Sequence, residues 1–111
     1  MSWKVYSGRR CPHGKKIFLV DGTRVRDEHD SDFSQGGNGY RYRWIPRGEI
    51  WVDAEIAEEE WPFIVEHECQ ESELMKHGMD YDRAHARAKR HKDADRRRGR
   101  VTPPKTRRRR P

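Results

Sequence analysis

The sequence predicts an α+β fold: a small antiparallel sheet of three to four strands, then two packed helices, then a disordered basic C-terminal tail. Three observations predict it. Short β-branched and aromatic runs, divided by Gly, Pro and Asp, fill the first half. From Trp61 the apolar residues recur at helical spacing. The end is Arg-rich with Pro103-Pro104, a composition that favours disorder.

A chain of 111 residues supports one domain, placed at residues 1–95, with the tail at 96–111. With 32% apolar and 40% charged residues, any core is small. A bound ion would help such a fold, because its binding free energy becomes folding free energy.

Lys15 to Val20 reads as a strand, and Asp21-Gly22 as the turn of a hairpin returning through Thr23 to Arg26. Ser31 to Gly39 reads as loop. Tyr40 to Ile45 alternates polar and apolar residues like a strand, and Pro46-Arg47-Gly48 breaks it. Glu49 to Asp53 is a further short strand. Glu58-Glu59-Glu60 suits a helix N-terminus, where acidic groups complement the macrodipole, and Pro62 is tolerated in a first turn. A helix from about Trp61 to His77 follows, with Gly78 as its stop. Asp80 is a good N-cap for a second helix from about Tyr81 into the Asp95 region.

Charge is divided by position. Residues 1–82 carry a net −6 and residues 83–111 a net +12. Two cysteines, Cys11 and Cys69, are too few for a disulfide framework. There is no apolar h-region at the start and no run near the ~20 residues of a membrane span. The expected setting is a reducing cytoplasm, with no membrane partner.

The chemistry concentrates in His67-Glu68-Cys69-Gln70-Glu71, a His-Glu-x-x-Glu stretch on the first long helix. Residues at i and i+4 are neighbours on one face, so His67 and Glu71 can converge on one ion while Glu68 sits beside it. On a helical wheel His67, Glu68 and Glu71 fall on the same stripe as Ile64, Leu74 and Met75, the natural buried face. Two carboxylates there need a bound cation, or Arg and Lys partners forming a buried charge cluster. A catalytic zinc site takes three protein ligands, so a third is required. Tyr81, Ala84, His85, Ala88 and Lys92 share a stripe of the second helix, and His85 is placed to fold back toward the pair. His77, His91 and His13 are less well placed. Glu68 is then the general base, and Tyr81 a candidate donor to a developing oxyanion or an ordinary packing residue. Cys69 points away on the same wheel.

These residues resemble the zincin-like metallopeptidases. The chain is similar, more narrowly, to small phage and bacterial proteins of that kind. The cues are Val20-Asp21-Gly22, the stretch Ile45 to Asp53, His67-Glu68-x-x-Glu71, then Met75, Gly78 and Tyr81-x-x-x-His85. They span about Ile17 to Lys89. The resemblance implies a minimal zincin-like, Zn2+-dependent hydrolase acting on a peptide or protein. It also implies an edge strand that binds substrate in extended form, which here falls on Glu49, Ile50, Trp51, Val52 and Asp53. The usual helix carries a second His where this chain has Glu71.

Arg96, Arg97, Arg98 and Arg100 form one basic block, and Arg107, Arg108, Arg109 and Arg110 another. Such arms neutralise phosphates, and no aromatic residue is interleaved for base stacking. The alternative function is thus a non-enzymatic nucleic-acid-binding protein whose metal is structural. A third is a partner-binding module with a charge cluster in its core and no metal.

Overall fold

A computed structural model describes residues 2–98. The elements are β1 (Lys4–Arg10), β2 (Lys16–Val20), α1 (Gly22–Glu28), β3 (Gly36–Asn38), β4 (Glu49–Asp53), α2 (Trp61–Lys76) and α3 (Tyr81–Arg98). A 3-10 turn, Glu58–Glu60, leads into α2.

The architecture is α+β, with a four-stranded sheet in the order β1-β2-β4-β3. The sheet is mixed, where a wholly antiparallel one was expected. β1 and β2 are antiparallel, as are β3 and β4, but β2 and β4 run parallel with Ile17 opposite Ile50 and Leu19 opposite Val52. The reason lies at Asp21-Gly22. Asp21 accepts from the Arg24 amide at 3.3 Å, which makes it the N-cap of α1 instead of the corner of a hairpin. The chain therefore crosses over before β4 and returns in the same direction, as a parallel pair requires. β2 takes its antiparallel partner from upstream, in β1.

Two further expectations change. The segment read as loop contains β3, and the alternating Tyr40–Ile45 run is not a strand. Asn38 Oδ1 accepts from the amides of Tyr40 at 2.8 Å and Arg41 at 3.1 Å. This Asx-type turn ends β3 and curls the chain. Tyr42 and Ile45 still find burial, together with Val20, Val25, Phe33 and Trp51, on one face of the sheet. The other face carries Ile17, Ile50 and Val52, packed against Ile64 and Cys69 of α2. Period-two alternation along β2 and β4 sorts the side chains between these two cores.

α2 and α3 behave as the sequence indicates. Gly78, at φ +102°, makes the left-handed turn that closes α2, with its amide on Met75 O and the Met79 amide on Leu74 O. Asp80 Oδ1 accepts from the Arg83 amide at 2.9 Å and caps α3. Ala84 and Ala88 are fully buried, and their small side chains let α3 approach α2 closely. α3 continues to Arg98, so residues 96–98 are helical, beyond the domain end set at 95. The tail assignment for 99–111 lies outside the described residues.

Cys11 and Cys69 are joined in a disulfide, which the low cysteine count did not suggest. The bond ties the β1–β2 turn to the sheet side of α2. Among the described residues, no helix is long and apolar enough to cross a membrane.

Candidate metal centre

The seam between α2 and α3 brings His67, Glu71 and His85 together. His67 Nε2 lies 3.0 Å from Glu71 Oε2, His85 Nδ1 lies 2.8 Å from the same oxygen, and the two nitrogens are 3.1 Å apart. With Glu71 ionised, hydrogen bonds alone do not satisfy this triangle. Each ring nitrogen has one in-plane direction for a proton or a lone pair. If both rings donate to the carboxylate, the 3.1 Å nitrogen pair sets donor against donor. If one ring gives its proton to the other, one contact to the carboxylate pairs two acceptors. A cation at the convergence point resolves all three contacts at once. Donors 2.0–2.1 Å from a tetrahedral zinc lie roughly 3.3 Å apart, close to what the side chains already provide. The donor set of two imidazoles and one carboxylate suits zinc better than a hard cation such as magnesium.

Burial grades the site. Glu71 and His67 are 2% and 7% exposed, while the His85 side chain is 44% exposed, so the centre opens to solvent on the α3 side. A cleft of about 380 Å³ leads to it, lined among others by Gly36, Arg41, Glu68 and Lys92. Among the described residues neither Glu68 nor Glu71 forms an ion pair with Arg or Lys, so the guanidinium-neutralised cluster is not what the fold builds.

Glu68 lies beside the triangle, and its Oε1 is buried without a hydrogen-bond partner. Burial, and then the charge of Glu71, push its pKa well above the ordinary carboxylate value, against a smaller pull from Asn38 and Lys92. The Tyr81 hydroxyl is 3.4 Å from His85 Nδ1. Burial and then Glu71 raise its pKa, so it stays a neutral phenol able to donate.

Three contributors escaped the sequence. The Asn38 amide donates to Glu71 Oε1 at 3.2 Å and orients the shared carboxylate. The Arg41 guanidinium lies 4.0 Å from the centre of the Tyr81 ring. Gly36 lets β3 lie directly on α2: a Cβ there would meet Trp51 O at 2.8 Å and Glu68 Cγ at 3.2 Å. The available signal was Gly36-Gly37-Asn38 itself, since adjacent glycines in a possible strand mark close backbone approach. His67 Nδ1, by contrast, is buried without a partner. The outer-shell acceptor usual for a ligating imidazole is missing on that residue.

The substrate strand needs correction. Glu49, Ile50, Trp51, Val52 and Asp53 form β4, which is hydrogen-bonded to β2 on one side and β3 on the other. It has no free edge to offer a peptide. Ile50 and Val52 are fully buried, and Glu49 is bound to Lys4 at 2.7 Å. The edge strand beside the centre is β3.

Of the Arg residues assigned to nucleic acid, Arg96 is engaged within the fold. It makes two hydrogen bonds to Glu60, at 2.8 and 3.3 Å, and its guanidinium lies 3.9 Å from the centre of the Phe63 ring. Arg97 is exposed. The Arg98 side chain and Arg100, Arg107, Arg108, Arg109 and Arg110 lie outside the described residues. Cys69 is bonded to Cys11 and takes no part in the centre. His77 and His91 pair instead with Glu73 and Gln70.

No family model, curated protein or solved structure matches the chain.

Proposed function

We propose that this protein is a zinc-dependent hydrolase, a zincin-like peptidase that cleaves an extended peptide or protein chain. The observation that carries the reading is the His67–Glu71–His85 triangle with the unpartnered Glu68 carboxyl oxygen beside it. Zinc, when bound, supplies Lewis-acid polarisation of a carbonyl and acidifies a water. The residues divide the remaining work. His67, Glu71 and His85 hold the ion. Glu68 accepts the proton of the attacking water and returns it to the leaving amine. Tyr81 donates to the oxygen that gains charge. The substrate backbone pairs with the outer side of β3 at Gly36, which lines the cleft; farther along, the Asn38 carbonyl is already taken by the Arg41 and Tyr42 amides.

The test is zinc content by elemental analysis together with hydrolysis of a peptide library. The wild type is expected to hold about one zinc per chain. His67→Ala, Glu71→Gln and His85→Ala should each lose most of it. Glu68→Gln should keep the zinc and lose hydrolysis by a factor on the order of 10²–10⁴. A wild type that binds no zinc, or a fully active Glu68→Gln, overturns the reading. Stoichiometric zinc with no cleavage of any peptide supports the second reading, a nucleic-acid-binding protein with a structural metal, which the basic face of α3 favours.

The proposed place of action is the cytoplasm. The Cys11–Cys69 bond weighs against that proposal, because a reducing compartment keeps most cysteines as thiols; a disulfide found in cells overturns it. Trapping Cys11 and Cys69 with an alkylating agent in intact cells reads their state.

A further inference from the structure

We propose that the outward stripe of α3, formed by Arg83, Arg87, Arg90 and Arg97, is a docking surface for the phosphate backbone of a nucleic acid. The inference does not depend on the hydrolase reading.

At 100° per residue these four arginines fall within about 80° of one another, with Ala94 between them and Ala86 at the border. Arg83 to Arg97 covers about 21 Å of helix axis. The fold fixes which way this stripe points. Ala84 and Ala88 are buried against α2, so the arginines on the far side face solvent. Arg83, Arg87 and Arg90, with Met79 and Ala86, line a hollow of about 340 Å³.

Two other cations of α3 are occupied, and Lys92 lines the metal cleft. Arg96 is held by Glu60, and Lys89 by Asp93 at 3.0 Å. Among the described residues Arg83, Arg87, Arg90 and Arg97 form no ion pair. Asp82 and Asp93 border the stripe; Asp93 is held by Lys89 and also attracts Arg97 at longer range, which leaves Arg83, Arg87 and Arg90 as the uncompensated part. A solvated helix face ordinarily alternates sign at i,i+4 spacing, which stabilises the helix. Here Arg83 and Arg87 repel at i,i+4, and Arg87 and Arg90 at i,i+3. Such a like-charge ladder works against the helix unless an anion covers it.

Phosphodiester is the anion that fits. Each guanidinium presents a planar fork matched to phosphate oxygens, and a linear ladder of such forks matches a polymer of regularly spaced charges. Continuity points the same way, because residues 99–111 add further Arg and Lys and no acidic residue. An anionic membrane fits less well, since the stripe has no Trp, Phe, Leu or Ile to insert. His85 is on the inward side of α3, so a strand lying along the arginines leaves the metal cleft open.

The experiment is fluorescence anisotropy of labelled duplex and single-stranded oligonucleotides with the full chain, over a range of salt. Wild type should bind without sequence preference, weakening steeply as salt rises. The triple variant Arg83→Gln, Arg87→Gln, Arg90→Gln should bind duplex on the order of 100-fold more weakly near 0.1 M salt. Its slope of log K against log salt should be smaller by about 2–3. The triple Lys variant should keep the slope. A thermal melt checks that each variant folds. Arg87→Glu alone, at the middle of the stripe, repeats the test with one side chain and should weaken binding on the order of 10-fold. Absence of salt-dependent binding by wild type overturns the proposal. So does a triple Gln variant that binds as wild type does, which would place all binding in residues 99–111. Stripe-dependent binding to anionic vesicles without oligonucleotide binding also overturns it.

Discussion

A carboxylate in a helix–helix seam must find positive charge, a hydrogen-bond donor or a proton, and those on α2 do so differently. Glu71 meets two imidazoles and the Asn38 amide. Asn38→Ala should therefore weaken zinc binding about 10–100-fold without removing a ligand, measured by competition with a chelating dye. Glu66, on the same helix, keeps a proton instead. Burial, then a hydrogen bond and charge repulsion from Asp95, push its pKa up to about 7. Its folded pKa exceeds its unfolded one, so the native state holds a proton that the unfolded chain has released. The metal-free protein should lose stability as pH rises from about 4.5 through about 7. Glu66→Gln should flatten that fall, melting higher than wild type at pH 8 and about equally at pH 4. Thermal melts in chelator across the pH range check the sign.

At the scale of elements, α2 and α3 were legible because their signals are local. Glu58 to Pro62, Gly78 and Asp80 punctuate the chain by side-chain chemistry that needs no distant partner. The site residues on these helices were legible for the same reason: a fixed 3.6-residue period turns spacing into facing. The sheet was harder to read. Asp21-Gly22 serves a turn or a helix cap equally well, and only the competition between β1 and a returning strand for β2 decides. Tyr40 to Ile45 alternates like a strand, yet Asn38 turns the chain and tertiary burial of Tyr42 and Ile45 takes over. β3 is three residues long and glycine-rich, too short for any periodicity. The close helix pair carries its own prediction. Ala84→Leu should force α3 away from α2, cost about 1–3 kcal/mol in denaturant unfolding and lower zinc affinity in parallel.

Across the whole molecule, one sheet divides two small cores, and the α2 side is held covalently. The Cys11–Cys69 bond spans a sequence separation of 58 residues. Reduction should cost about 2–4 kcal/mol of stability, seen as a lower melting temperature with dithiothreitol that Cys11→Ser/Cys69→Ser reproduces without it. The bond sits on α2 alone, although the ion would be shared by both helices. His67 and Glu71 are thus riveted to the sheet, whereas His85 rides on a rod attached through its seam with α2, the Gly78 bend and the Arg96–Glu60 clasp. Loss of the ion would leave two jaws of unequal tethering, one anchored covalently and one held by packing and side-chain contacts alone. The arginine stripe lies on the back of the second, so a strand bound there would pull on the less firmly anchored half.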